Sequence, residues 1–292
     1  MIYSMENDFL KVEVNDEGAQ LWNIYDKKDG NAPRLWQGEK VWNERSPLLF
    51  PYIGCLKDGK FIEEGITYEG APHGFAKTVV HQLKEQSEDH LVFVIHSDES
   101  TIKQYPWPFE METEYRIQDN RLTWTARITN TGEREMPFSI GIHTGYMCPF
   151  DTKYAASDYV LRFEKKENAV HLRHNENGNL TGEEIPFLNG EDVLTLDHEQ
   201  FPNSFMLGNV VSDYIQIEEL PTGHYSRVYL KGAPVAAFWA QPGNADYVCI
   251  QPWYGAPDSA DSDYSLWSKR AVQKAEPGET KEYSQTIEIG TL

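Results

Sequence analysis

The sequence predicts an all-β fold of antiparallel sheets, and two observations carry that expectation. Short segments of alternating or β-branched character recur along the whole chain with turn chemistry between them. No window holds an apolar stripe of 3.6-residue period over three turns, as an amphipathic helix would require.

In chain order the strand candidates are FLKVEV from Phe9, LVFVIHS from Leu91, FEMETEYRI from Phe109, RLTWTARITN from Arg121 and YVLRFEK from Tyr159. They continue with DYIQIEEL from Asp213, RVYLK from Arg227, VAAFWA from Val235, YVCIQPW from Tyr247 and YSQTIEI from Tyr283. Asp119-Asn120 separates two long alternating runs and reads as a hairpin turn. NENGN, LPTG and QPGNAD are further breakers. The closing EPGETKEYSQTIEI reads as a turn followed by a strand tied into a sheet. Many short strands without a linker, a low-complexity tract or a fixed-period repeat point to one domain over residues 1–292, a sandwich or a barrel.

Charge narrows the partners. With 26 Lys+Arg against 46 Asp+Glu the net charge is −20, a field that repels nucleic acid and anionic lipid and leaves small neutral molecules as the expected ligands. The start, MIYSMENDFLKVEV, has neither a basic n-region nor an apolar h-region, and no run approaches the roughly 18 apolar residues of a membrane span. A soluble, cytoplasmic protein is expected. Cys55, Cys148 and Cys249 have neither paired nor metal-like spacing and read as free thiols.

Four residues stand out as chemistry. His73 lies in a Pro-His-Gly turn, and His143 ends an apolar run ahead of Gly145 and Tyr146. Each is a strand-end imidazole in aromatic surroundings, suited to acid or base work near neutral pH. Gln251 closes the strand VCIQ and runs into a rigid Pro-Trp turn. Its amide can grip a ligand but takes no proton near neutral pH. Trp253, and less clearly Trp107, are proline-flanked rings able to stack on a sugar face. His171 and His174 fall on opposite faces of a strand, so no metal site is expected there. The acidic run holding Asp258, Asp261 and Asp263 lacks a closing Glu and reads as a solvated loop rather than a calcium site.

In order and spacing, SPLLFPYIGCLKDGKF, HGFAK, MPFSIGIHTGYMCPF, FPNSFM, VCIQPWYG and AVQKAEPGETKEYSQTIEI resemble the bacterial aldose 1-epimerase (galactose mutarotase-like) family, in its short, Trp-rich branch. The resemblance implies a large antiparallel β-supersandwich with a sugar site in a groove across one sheet. It implies His143 as the acid that protonates the ring oxygen and His73 as the imidazole that holds and polarises the sugar. The family's base is a glutamate at the strand end occupied here by Gln251. Ser204 stands where relatives usually carry a sugar-binding aspartate, Cys55 where an arginine is common, and Lys77 in place of a frequent arginine. Asp246 and Asp258 are the candidate substitute bases in that segment. No metal or organic cofactor is implied, because both half-reactions are proton transfers. Three readings follow: an epimerase of reduced activity, a sugar-binding protein, and a glycoside hydrolase or lyase, which would require two convergent carboxylates.

Overall fold

A computed structural model describes residues 1–196, 204–240 and 246–292. Two large antiparallel sheets face each other across an apolar core. One holds nine described strands in the order Glu191–Thr195, Tyr159–Glu167, Tyr214–Glu219, His224–Tyr229, Thr280–Thr291, Arg121–Asn130, Phe109–Gln118, His90–His96 and Gln82–Gln86. The other runs Leu180–Pro186, Val170–His174, Ser204–Gly208, Val235–Trp239, Tyr247–Tyr254, Ile140–Ile142 and Leu48–Leu49, with Gly145–Met147 also paired to Tyr247–Tyr254. A smaller sheet, Ile2–Glu6, Leu10–Asn15, Gln20–Asp26 and Ala32–Pro33, lies beside them. This is the antiparallel all-β architecture that the strand pattern predicts, in the supersandwich form that the family resemblance implies.

The hairpin at Asp119-Asn120 shows how pattern becomes packing. Its strands pair in unbroken register from Phe109↔Asn130 to Gln118↔Arg121. Along the first strand Phe109, Met111, Thr113, Tyr115 and Ile117 are buried, while alternate residues carry charge outward. Asp119 takes the left-handed backbone conformation (φ 51°) that the tight turn needs. The closing strand Thr280–Thr291 sits inside the sheet, between His224–Tyr229 and Arg121–Asn130, as its sequence implies.

Trp107 is fully buried, and its indole N–H donates to the Glu135 carbonyl at 3.0 Å. It is a core aromatic and takes no part in the groove. Among the described residues the longest α-helix is the four-residue turn Glu99–Ile102, capped by Asp98, and no helix is long and apolar enough to cross a membrane. The breaker QPGNAD falls largely on 241–245, outside the described residues.

The strand Tyr247–Tyr254 continues through Gln251, which the sequence pattern places at its end, and through Pro252-Trp253, which that pattern reads as a turn; its two faces divide the work. Val248 and Ile250 point into the core between the sheets, with Ile217 and Ile287 of the opposite sheet. Tyr247, Cys249, Gln251 and Trp253 take the other face, under loops rather than under a sheet.

Candidate active site

Register gathers the sheet's contribution. Ala237 pairs with Gln251, Val235 with Trp253, Trp239 with Cys249, and Ser204 with Trp239. Because side chains alternate with a period of two, Ser204, Ala237, Trp239, Gln251 and Trp253 share one face. They form the floor of a groove of about 400 Å³ whose loop walls supply Trp42, Glu44, Pro47, His73, Lys77 and His143. That volume suits a small ligand. Gly141 lets the Trp253 indole lie close, since a Cβ there would stand 2.9 Å from Trp253 Cδ1.

The two histidines come from unrelated segments and meet with ring centres 5.6 Å apart, edge to face. His143 follows the strand Ile140–Ile142 and is tied by its N–H to the Pro47 carbonyl at 2.9 Å. His73 sits at φ 69°, a left-handed conformation that costs a side-chain-bearing residue on the order of 1 kcal/mol. Its N–H donates to the Gly54 carbonyl at 3.0 Å, and the Gly54 N–H donates back to Nδ1 at 3.1 Å. An Nδ1 that accepts leaves the neutral ring's proton on Nε2, so His73 offers a ligand a donor. The next residue must be glycine, because a Cβ at Gly74 would stand 2.2 Å from the Phe50 carbonyl oxygen.

Burial governs the charge state of these rings. It holds His143 down to about 4, with Lys77 adding to the effect, and it holds His73 well below the usual imidazole range, aided by His143 and Lys77. His81, buried outside the groove with Nε2 against the Ala76 carbonyl, is also held at about 4. For His81 and His143 an unfolded chain takes up the proton near pH 6.5, while the folded chain resists until about pH 4. The unfolded state therefore binds more protons in that window, and stability falls as pH drops through it. We expect a loss of about 1 kcal/mol per pH unit for each such histidine between pH 6.5 and 5, above the range where most carboxylates titrate. Calorimetric melting across that range checks this, and His143→Gln should flatten the slope. A melting temperature constant from pH 7 to 5 would contradict it.

Three polar groups of the residues around the groove lack protein partners. The Gln251 carboxamide oxygen and the Trp253 indole N–H have none, although both residues are more than nine-tenths buried. His143 Nδ1 has none beyond its own backbone. Unpaired polar atoms cost about 1–3 kcal/mol each when buried, and three of them around one groove call for a functional explanation.

The structure thus brings together His73, His143, Gln251, Trp253, Ser204 and Lys77. It does not bring in Cys55, whose segment turns away after Gly54. Cys55 lines a separate cavity with Leu56, Asp58, Pro72, Asn177 and Asn179, and burial pushes its thiol up. Neither substitute base reaches the groove. Asp246 precedes the opposite end of the strand, exposed, with its carbonyl bound to the Cys148 N–H at 3.0 Å. Asp258 is buried in an ion pair with Lys269 and accepts from the Lys57 N–H at 3.0 Å. The carboxylate that does line the groove is Glu44, which the sequence did not signal; Trp42 and Trp239 were equally silent. Trp239 was within reach, since the register of VAAFWA against YVCIQPW puts it on the Gln251 face.

Fold and groove together define a galactose mutarotase-like supersandwich, and comparison with known structures agrees. The galactose mutarotase related enzyme of Lactobacillus acidophilus superposes with a TM-score of 0.93 at 24% identity, covering 100% of this chain and 98% of that one. A galactose mutarotase-like protein from Lactobacillus casei gives 0.92 at 22% identity, covering 99% and 100%. The chain belongs to the aldose 1-epimerase family, whose model matches residues 1–260. Among curated relatives, the plasmid-encoded protein LacX of Lactococcus lactis subsp. lactis is 28% identical over 299 residues, 99% of each chain. The uncharacterized protein YphB of Escherichia coli is 25% identical over 178 residues, 56% of this chain and 59% of its own.

Proposed function

We propose that this protein binds a neutral or lightly modified aldose in the groove and interconverts its α and β anomers by acid/base ring opening, at a rate limited by the amide at position 251. The observation that carries the reading is that Gln251 and Trp253, each with a buried unpartnered polar atom, line one groove with His73, whose Nε2 is left as a donor. The charges of Glu44 and Lys77 cancel and both histidines are held neutral, so the groove favours an uncharged ligand over an anionic one. In this reading Trp42, Trp239 and Trp253 offer faces to the sugar ring, and Ser204, Gln251 and His73 bind hydroxyls. The mutarotase names of the structural relatives make galactose a natural first substrate to test.

A sugar-binding protein without catalysis is the second reading, favoured by the one fact that Gln251 accepts no proton. A hydrolase or lyase finds less support, because of the described residues lining the groove only Glu44 carries a carboxylate and the chemistry needs two, about 5–10 Å apart. Tryptophan fluorescence titrated with galactose and glucose, alongside NMR exchange between anomers, tests the proposal. Binding should be weak and saturable, and His143→Ala should abolish both signals, since that ring packs on Trp42 at 5.1 Å and Trp239 at 5.5 Å. No response to aldoses, ketoses or sugar phosphates would remove the carbohydrate reading; a response to sugar phosphates alone would overturn the charge argument.

A further inference from the structure

Among the described residues lining the groove are the partners of an ion pair, Glu44 and Lys77. Lys77 Nζ lies 3.0 and 3.3 Å from the two carboxylate oxygens of Glu44, with side chains only 20% and 30% exposed. The loop carrying Glu44 is anchored on both sides. Before it, the Trp42 carbonyl accepts from the Trp36 indole at 2.7 Å, and the Trp42 ring packs on His143, Trp239 and Tyr247. After it, the Arg45 N–H donates to the Gln20 side chain at 2.8 Å and its guanidinium lies over Trp22. The Trp42 indole N–H points at Glu44 Oε2 at 3.4 Å. So much anchoring is more than a solvated ion pair needs.

We propose that Glu44 and Lys77 are the acid/base pair of this groove, Glu44 taking the proton of the anomeric hydroxyl and Lys77 giving one to the ring oxygen. The inference rests on the epimerase reading above. Anomer exchange needs a base and an acid that are correctly protonated at the same pH. Gln251 supplies neither, and the two imidazoles are held neutral, so they serve as hydrogen-bonding groups. Among the described lining residues the ion pair alone combines a charged carboxylate with a charged donor. Its geometry also suits the task. The anomeric and ring oxygens hang from the same carbon, and a carboxylate and an ammonium 3.0 Å apart can face both at once.

The protons balance. Glu44 removes the hydroxyl proton as the C1–O1 bond becomes a carbonyl; the C1 to ring-oxygen bond breaks, its electron pair stays on the ring oxygen, and Lys77 protonates it. Rotation about C1–C2 exposes the other carbonyl face. Lys77 then takes back the proton as the ring oxygen attacks C1, and Glu44 returns the first proton to the new anomeric hydroxyl.

Two substitutions in the full chain separate this role from a structural one. Glu44→Gln should slow exchange of galactose or glucose anomers by 10²-fold or more while fluorescence still reports binding. Lys77→Arg keeps the charge and the ion pair, but a guanidinium gives up no proton in a protein, so it should slow exchange by at least tenfold with folding and binding intact. Exchange within twofold of the natural protein in Lys77→Arg, or in folded Glu44→Gln, overturns the proposal and leaves the epimerase reading standing. If the natural protein binds sugar and never accelerates exchange, the epimerase reading and this proposal fall together.

Discussion

Gln251→Glu accelerates anomer exchange, with an expected gain on the order of 10²-fold. Position 251 lies inside the strand Tyr247–Tyr254 in the groove floor, with its side-chain oxygen unpartnered, so a carboxylate enters a position that already lines the groove. The change acts twice. It adds a proton acceptor, and its negative charge favours the protonated form of His143, which burial now holds at about 4. On the proposed reading, the natural glutamine withholds the base and, through its missing charge, the protonated His143 that the family resemblance implies. NMR titration of the His143 ring should show its midpoint rising from about 4 in the variant. The gain has an opponent, because position 251 is only 1% exposed and a buried carboxylate is costly. If desolvation wins, the new glutamate stays protonated, and neither the rate nor the His143 titration moves. In the Gln251→Glu background Glu44→Gln should cost less than it does alone, as expected when a second base shares the work.

Asp258→Ala destabilises the protein by about 3–5 kcal/mol. Asp258 and Lys269 are both buried and paired, and Asp258 also accepts from the Lys57 N–H at 3.0 Å. Removing the carboxylate leaves an ammonium without its counter-ion in a site where burial already lowers the basicity of Lys269. Adding Lys269→Met should return much of the loss, because the expensive species is the lone charge. Urea unfolding measures both. A cost below about 1 kcal/mol for Asp258→Ala would mean that the pair is solvated and that Asp258 is free for other chemistry.

The sequence disclosed what local pattern encodes. Strands with strict alternation, such as Phe109–Gln118 and Arg121–Asn130, were visible from end to end, and so was the turn between them. Leu180–Pro186 was not, because it is an edge strand whose run of exposed Thr, Gly and Glu guards an open flank and reads as loop. The groove shows the same division. His73 and His143 stand at turns or strand ends that announce themselves, whereas Gln251 and Trp253 lie inside the strand Tyr247–Tyr254. Glu44 lies in a loop with no periodicity and becomes a groove residue only through contacts with Lys77, 33 positions away. Cys55 is a candidate only by its match to a family arginine and Asp258 only by its nearness in sequence to Gln251, and neither basis says which way the side chain turns.

The central claim is that this groove interconverts sugar anomers by proton transfer, and NMR exchange spectroscopy of galactose and glucose reads that step directly. At equal protein concentration the natural chain should raise the α/β exchange rate above the spontaneous rate, His143→Ala and Glu44→Gln should lose that increment, and Gln251→Glu should exceed the natural chain. Exchange at the spontaneous rate for the natural chain and for Gln251→Glu alike, while both still bind the sugar, would contradict the account and leave a protein that binds sugars without interconverting their anomers.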